Sequence, residues 1–275
     1  PREGGPRGRP IRQSDARRSA PVAKGLGGEQ IEGRQAVREL LIGQRRKVKE
    51  IWIAQDIDPA PIIDDIEQLA DAARVTVLEV PRRTLEDTAR SEAPQGIIAF
   101  AQPLEEADFN ALMTKRNGVM PFLVAVDGVT DPGNLGALLR CCDGAGVTGV
   151  ILPKHRAVHV TPTVAKTSAG AIEHVPMTLV PGLPVAITQM RDKGIWVVGL
   201  DDSSENTLFD IANFATDGIC IVLGSEGTGL SRLVKERCDT VVSIPMLGQV
   251  SSLNVSAAAA LATYEVTRAR LASPA

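Results

Sequence analysis

The sequence is poor in aromatic residues and in cysteine. Phe, Trp and Tyr together make up 3% of 275 residues, so the core must be aliphatic, and a surface that binds RNA by stacking bases on aromatic rings is disfavoured. The four cysteines (Cys141, Cys142, Cys220 and Cys238) lack zinc-ligand spacing, and two are adjacent. We therefore expect reduced thiols of a cytoplasmic protein and no metal site.

Several common signatures are missing as well. No apolar run approaches the roughly 20 residues that cross a bilayer, and no stretch resembles a signal peptide, so we expect no membrane partner. No P-loop occurs. Gly144, Gly146 and Gly149 match G-x-G-x-x-G, but they end a helix and lead into a strand, which inverts the dinucleotide fingerprint and favours a helix C-cap.

Charge is distributed unevenly. The formal net charge is −3, yet residues 1–24 hold six Arg and one Lys against Glu3 and Asp15, a surplus of five positive charges. Residues 1–28 are rich in Gly, Pro and Arg and show no periodicity, which predicts a disordered basic tail. Such a tail either contacts nucleic acid phosphates or serves only solubility, and both interpretations stay open.

The rest of the chain alternates between strand and helix patterns. Residues 29–103 predict a small α/β domain, residues 104–120 a linker with a helix over 104–119, and residues 121–273 a larger α/β domain. The strands of this last domain are apolar along their whole length, which indicates a parallel sheet covered on both faces.

The first chemically informative stretch is DGVTDPGNLGALLRCCDGAG (127–146). A buried strand exits at Asp127, and a helix begins near Asn134. Arg140 shares a face with Gly136, which leaves space where a ligand backbone could approach. Alone, Arg140 is explained as well by the solvent side of an amphipathic helix. The core stripe of the helix is Leu135, Leu138, Leu139 and Cys142.

The second stretch is IVLGSEGTGLS (221–231), where a buried strand runs into Gly224, Gly227 and Gly229 around Glu226. Glycines let backbone amides approach a ligand, and Glu226 lies at the carboxyl end of a strand, where α/β sheets bind ligands. The alternative is a glycine-rich turn that binds no ligand and carries a solvated glutamate.

The third stretch is IPMLGQVSSLNVSAAAALATYE (244–265). Ser252, Asn254 and Ser256 lead an alanine-rich helix, and N-capping by Ser252 or Asn254 is compatible with a substrate role. The small residues 257–260 allow another chain segment to pack closely.

These three stretches, in this order, closely resemble the motifs of the SpoU (TrmH) family of RNA 2′-O-methyltransferases in the SPOUT superfamily, over residues 120–271. Gly33-Arg34 and Gln95-Gly96 resemble the L30e-like substrate-binding domain of the bacterial branch that modifies 23S rRNA. The matching motif residues are Asn134 and Arg140, Gly224 and Glu226, and Ser252, Leu253 and Asn254.

The resemblance implies a trefoil knot in the C-terminal domain, S-adenosyl-L-methionine as cofactor and a homodimer. It assigns catalytic positions to Arg140, Asn134, Glu226, Asn254 and Ser252. It assigns cofactor contacts to Gly224, Ile244, Leu253, Leu200, Leu223 and Met246. RNA would be guided by Arg34, Arg45, Arg46, Lys47 and Lys49, and by Arg82 and Arg83, each of which could equally be an ordinary solvated charge.

The implied reaction is attack of a ribose 2′-oxygen on a sulfonium methyl group, with a guanosine of 23S rRNA as the expected target. A tRNA 2′-O-methyltransferase and a non-catalytic RNA-binding ribosome-assembly factor are the alternatives. Arg140 is expected to meet the hydroxyl, with Asn134, Glu226 and Asn254 orienting it. A guanidinium with a pKa above about 12 is a poor base, so Arg140 could instead stabilise the alkoxide or grip a phosphate.

Overall fold

The computed structural model describes residues 25–155 and 159–272 and contains two sheets in succession. The N-terminal sheet has the order β1-β4-β2-β3, in which β2 and β3 are parallel and the other neighbours antiparallel. Its strands and helices match the predicted small α/β unit. They are β1 (Gln30–Glu32), α1 (Arg34–Gly43), β2 (Val48–Ala54), α2 (Pro61–Ala72), β3 (Thr76–Val80), α3 (Arg82–Thr88) and β4 (Ile97–Ala101).

The C-terminal sheet has six parallel strands in the order β10-β8-β9-β5-β6-β7. This confirms the predicted parallel sheet. A short helix, α4 (Phe109–Leu112), precedes it. The elements of the domain are β5 (Phe122–Val126), α5 (Pro132–Ala145), β6 (Gly149–Pro153), α6 (Pro162–Thr167), β7 (Met177–Val180), α7 (Leu183–Asp192), β8 (Trp196–Leu200), β9 (Ile219–Leu223), α8 (Arg232–Arg237), β10 (Thr240–Val242) and α9 (Val255–Ala272), with 3₁₀ turns at Ala171–Glu173 and Leu208–Asn213.

Strand β5 lies in the middle of this sheet and is buried at every position. Phe122, Val124 and Val126 pack towards α5, α6 and α9, whereas Leu123 and Ala125 pack towards α7 and α8. The fully apolar strands thus bury both faces, as the sequence predicted. Strands β6 and β7 are added to one side of β5, whereas β8, β9 and β10 lie on its other side. The order of the strands therefore reverses direction at β5, and open α/β sheets bind ligands at such a point.

Three predictions about chain organisation need correction. The linker helix predicted over 104–119 is confined to α4, because Asn117 and Gly118 adopt positive φ and turn the chain back between Arg116 and Val119. The apolar run VVSIPM (241–246) predicts a strand over its whole length, but β10 ends at Val242, before Pro245.

The third correction concerns the start of ordered chain. The predicted tail 1–28 overlaps the structure at 25–28, where Leu26 is buried in the core and Gly27 pairs with Val160. Residues 1–24 lie outside the described residues.

Gly146, at φ 75°, caps the C-terminus of α5, which confirms the capping interpretation of the glycine pattern.

Candidate active site

A cavity of about 420 Å³ opens at the carboxyl ends of β8 and β9. This volume is in the range of small-molecule sites, roughly 300–1,000 Å³. The six residues predicted to contact the cofactor all line it, and so does Ser252. The lining residues are Leu200, Asp201, Asp202, Leu223, Gly224, Ser225, Glu226, Gly227, Thr228, Gly229, Ile244, Met246, Ser251, Ser252, Leu253, Asn254, Val255 and Ala258.

The glycines after β9 are required by the backbone itself. A Cβ on Gly224 would overlap the backbone of Gly229 and Leu230, so only glycine lets the loop fold back over the strand end. Ser225 and Gly229 exchange backbone hydrogen bonds of 3.1 and 3.0 Å, and Gly227 has φ 79°. The loop therefore forms a tight wall that presents Glu226 at its tip.

Asn134, Glu226 and Asn254, one from each motif, form a hydrogen-bonded cluster. The Nδ2 of Asn134 donates to Oε1 of Glu226 at 3.1 Å, and the Nδ2 of Asn254 donates to the same oxygen at 2.6 Å. Asn254 Nδ2 also lies 2.8 Å from Oδ1 of Asn134. Asn134 and Glu226 are 92 residues apart in sequence, so distant segments converge on one carboxylate.

The cluster is also structural, because Asn254 stabilises the start of a helix. Asn254 Oδ1 accepts hydrogen bonds from the backbone N–H of Ser256 at 2.9 Å and from its hydroxyl at 2.5 Å, which makes Asn254 the N-cap of α9. Asp131 caps α5 by accepting from the N–H of Asn134 at 2.7 Å. The alternative that Ser252 caps α9 is thereby wrong, and Ser252 remains exposed at the cavity.

Arg140 stands apart from this cluster. It is exposed, and within the described ranges its side chain has no hydrogen bond or ion pair. It lies six residues along α5 from Asn134, about 9 Å of helix rise, and it does not line the cavity. The expectation that Asn134, Glu226 and Asn254 orient Arg140 is therefore not met within one chain.

The space expected beside Gly136 is filled. A Cβ at this position would collide with Oγ1 of Thr167 and lie 2.8 Å from the carbonyl oxygen of Val164. Gly136 thus permits close packing of α6 on α5, and the interpretation that it admits a ligand backbone is wrong.

The basic residues predicted to guide RNA have different surroundings. The side chain of Arg46 is buried and forms an ion pair with Glu173, so its predicted RNA contact is contradicted by this burial. Arg45 and Lys47 are exposed, although Arg45 also donates to the carbonyl oxygen of Glu173 at 3.1 Å. Arg34 is partly exposed and donates to the backbone oxygen of Gln95 at 3.2 Å.

Arg82 begins α3 and is paired with Asp56 at 2.8 Å while remaining partly exposed. This pairing lowers the pKa of Asp56. Lys49 and Arg83 are exposed. These cations remain accessible to a polyanion, unlike Arg46.

All four cysteines are unpaired, as predicted. Burial raises the pKa of the Cys142 and Cys220 thiols, and raises that of Cys238 to about 12, so these thiols are protonated and unreactive at neutral pH. Among residues 25–155 and 159–272, no group of three or more His, Cys, Asp or Glu side chains is arranged to hold a metal ion. No helix in these same ranges is long and apolar enough for a membrane span.

Several cavity residues were not singled out from the sequence, among them Asp201, Asp202, Val255 and Ala258. Asp201 directly follows β8, and the rule that ligands bind beyond the carboxyl ends of strands could have found it. Val255 and Ala258 lie on the first turn of α9, and only the tertiary packing places them at the cavity.

Comparison with known proteins matches both halves of the chain. Residues 121–264 match the model of the SpoU rRNA methylase family, and residues 30–107 match that of the RNA 2′-O ribose methyltransferase substrate-binding domain. A protein of Staphylococcus haemolyticus described as a TrmH-family tRNA/rRNA methyltransferase is 42% identical over 242 residues, covering 87% of this chain and 95% of the relative.

Solved structures agree. The SpoU methyltransferase AviRb from Streptomyces viridochromogenes, in complex with AdoMet, superposes with a TM-score of 0.73 at 25% identity, covering 89% of this chain and 91% of that one. A structure described as an RNA 2′-O ribose methyltransferase gives 0.71 at 27% identity and covers 88% of each chain.

The fold and the matched domains define an α/β RNA methyltransferase with an N-terminal substrate-binding unit. The chain belongs to the SpoU (TrmH) family of RNA 2′-O-ribose methyltransferases, whose methyl donor is S-adenosylmethionine. The predicted family, fold class, enzyme class and cofactor are thereby confirmed. The trefoil knot, the domain boundaries and the roles of single site residues stay predictions.

Proposed function

We propose that this chain methylates the ribose 2′-hydroxyl of a guanosine in 23S rRNA, with S-adenosylmethionine bound in the cavity beyond β8 and β9. The observation that carries the proposal is the Asn134–Glu226–Asn254 cluster at the edge of that cavity. A protein that only binds RNA would not require side chains from three distant segments to meet at one carboxylate beside a small-molecule cavity.

The chemistry of the cavity fits the cofactor. Leu200, Leu223, Ile244, Met246 and Leu253 offer an apolar wall suited to an adenine ring. The backbone amides of Met246, Ser251, Ser252 and Leu253, which line the cavity, make no hydrogen bond within the described parts of the chain, so they are available as donors to adenine and ribose. Bound S-adenosylmethionine supplies a methyl group on a sulfonium, which needs no further activation.

The protein must then position the ribose and handle one proton. Asn134, Glu226 and Asn254 hold one another in place, and their remaining oxygens and amide protons can orient the ribose hydroxyl. A guanidinium is a poor base, so we assign Arg140 to stabilise the developing alkoxide or the adjacent phosphate rather than to remove the proton. Ser252 is assigned as a hydroxyl donor to RNA phosphate.

We propose a homodimer that pairs the outer faces of α5 and α9. Leu261 and Tyr264 on α9 are 44% and 52% exposed, and Leu247 and Val250 of the cavity loop are also exposed. Covering these apolar side chains with a second copy would bring Arg140, on α5, to the interface. Arg140 of one protomer is then proposed to complete the cavity of its partner.

RNA is proposed to lie across both units, on Arg34, Arg45, Lys47 and Arg82. These side chains are at least partly exposed and can neutralise phosphates. The match to the SpoU rRNA methylase family supports rRNA as the substrate, and the description of the relatives as tRNA/rRNA methyltransferases keeps tRNA as the alternative. With four unpaired thiols, the proposed compartment is the cytoplasm.

The test is transfer of a labelled methyl group from S-adenosylmethionine to purified 23S rRNA and to bulk tRNA, followed by mapping of the methylated nucleotide. Label on a guanosine 2′-oxygen of 23S rRNA is the expected outcome. Label on tRNA alone would replace the proposed substrate by its alternative. Cofactor binding without transfer to any RNA would favour the non-catalytic alternative.

A further inference from the structure

Asp201 lies directly after β8 at the base of the cavity, with its side chain only 8% exposed. One carboxylate oxygen, Oδ1, pairs with Nζ of Lys235 at 3.0 Å and accepts from the N–H of Ser203 at 3.1 Å and from its hydroxyl at 2.5 Å. The other, Oδ2, accepts from the N–H of Leu230 at 3.3 Å. Asp201 therefore links β8 and α8 to the loop that follows β9.

That loop is tightly packed between Asp201 and the end of β9. A Cβ on Gly229 would lie 2.8 Å from Oδ2 of Asp201, and a Cβ on Gly224 would overlap the backbone of Gly229 and Leu230. Gly224, Gly229 and Asp201 all line the cavity. A shift of the Asp201 carboxylate would thus move the glycine wall into or away from the cavity.

The carboxylate is ionised at neutral pH. Burial raises the pKa of Asp201, but hydrogen bonds from Ser203, Lys235 and the Leu230 N–H outweigh this effect and lower the pKa to about 2. The backbone N–H of Leu230 is therefore held by a charged acceptor, which makes a stronger hydrogen bond than a neutral one. Neither Asp201 nor Lys235 belongs to the three motifs.

We infer that Asp201, held in place by Lys235, is a positioning residue that sets the Gly229–Leu230 wall of the cavity and thereby the affinity for S-adenosylmethionine. This inference rests on the proposed assignment of the cavity to the cofactor. Asp201 acts through the loop and takes no part in moving the methyl group or the proton.

A second carboxylate, near the other end of β8, provides a matched control. Asp239 accepts from the N–H of Val197 at 2.9 Å and pairs with Nε of Arg191 at 2.6 Å, and its side chain is 17% exposed. It thus combines a backbone hydrogen bond and an ion pair as Asp201 does, but near the start of β8, and it does not line the cavity.

The experiment compares Asp201→Asn with Asp239→Asn in the full chain. Binding of S-adenosylmethionine is measured by titration calorimetry without RNA, thermal unfolding is followed on the same samples, and KM and kcat are measured with rRNA. We expect Asp201→Asn to weaken cofactor binding about tenfold, and KM for the cofactor to rise in parallel, with a smaller change in kcat. Asp239→Asn should lower the unfolding temperature comparably and leave cofactor affinity within about twofold.

Lys235→Met serves as the second variant, because it frees the Asp201 carboxylate while leaving the Leu230 hydrogen bond possible. It should weaken cofactor binding in the same direction as Asp201→Asn and by less. Equal affinity losses in Asp201→Asn and Asp239→Asn, or unchanged affinity in Asp201→Asn, would overturn the positioning role. A wild-type chain that binds no S-adenosylmethionine would instead overturn the assignment of the cavity.

Discussion

Arg46 and Glu173 form an ion pair whose side chains are 2% and 1% exposed, and it joins the substrate-binding unit to the methyltransferase unit. Arg46 also donates to the carbonyl oxygens of Gly28 at 2.5 Å and Gln102 at 2.7 Å. One hydrophobic cluster runs without a break from Ile31 in the first unit into the second. The two units are therefore docked through a common core.

Glu173→Gln should destabilise the protein strongly, because it leaves the Arg46 guanidinium buried without a counter-charge. Removing one partner of a buried pair costs about 3–5 kcal/mol. Denaturant unfolding of the full chain measures this loss. RNA affinity should fall along with stability, since the orientation of the substrate-binding unit depends on the pair.

Two comparisons sharpen this prediction. Glu236→Gln, which removes the exposed Arg232–Glu236 pair, should change stability by less than about 0.5 kcal/mol. Replacing both partners, as Arg46→Met with Glu173→Leu, should recover much of the loss, because no buried charge remains unpaired. If Glu173→Gln were as mild as Glu236→Gln, the pair would not secure the junction.

The C-terminal fold follows the sequence closely because its signals are local. Strands such as β5 and β9 are uninterrupted apolar runs, and α5, which follows β5, carries a single apolar stripe. The linker differs from its prediction. Asp108, as N-cap, begins α4 inside the range predicted to be helical, and the Asn117-Gly118 turn ends the segment. These are short-range backbone preferences that compete with a weak helical pattern.

The sequence predicts which residues form the site, but it predicts only in part which of them are in contact. The motif residues Asn134, Glu226 and Asn254 do meet, but Arg140 does not join them in one chain. The sequence does not reveal the surroundings of Arg46 and Gly136, because a basic run and a helical glycine look the same whether they face solvent, a ligand or another helix. Only the positions of Glu173 and α6 decide between these interpretations.

Asn254→Ser should separate the capping role of Asn254 from its role in the cluster. A serine keeps an N-cap oxygen for the Ser256 N–H, so stability should change by less than about 1 kcal/mol. It loses the amide that donates to Glu226, so kcat should fall about 10²-fold through misplacement of the reacting groups. Unfolding measurements and single-turnover kinetics test the two halves, and retention of kcat would remove the cluster from catalysis.

Gly136→Ala should destabilise the fold by about 1–3 kcal/mol, because its Cβ overpacks the contact with Thr167 and Val164 on α6. Gly182→Ala is the matched control. Gly182 has φ −167°, an extended backbone, and no atom of the described chain beyond its immediate neighbours lies within 4 Å of where its Cβ would be. Its stability change should therefore stay below about 1 kcal/mol, the cost of alanine in place of glycine at the N-cap of α7. Equal stability of the two variants in urea would contradict the packing explanation.

Arg140 and Glu226 should belong to different protomers of each active site. Arg140→Ala and Glu226→Gln are each expected to be inactive, and Arg140→Ala should retain cofactor binding because Arg140 does not line the cavity. If one protomer's Arg140 completes its partner's cavity, a mixed dimer holds one intact site. Random exchange of the two inactive variants should then restore about one quarter of wild-type activity, since about half the dimers are mixed and each has one working site.

Mixing two aliquots of the same variant, treated identically, controls for recovery unrelated to pairing, and native mass spectrometry checks that mixed dimers form. Restoration in the mixed sample alone would explain why Arg140 has no hydrogen-bond partner within the described part of its own chain. If mixing restores nothing although mixed dimers form, Arg140 must reach its own cavity by movement of α5. That outcome would conflict with the close packing of α5 on α6 at Gly136, where even one added carbon would collide with Thr167.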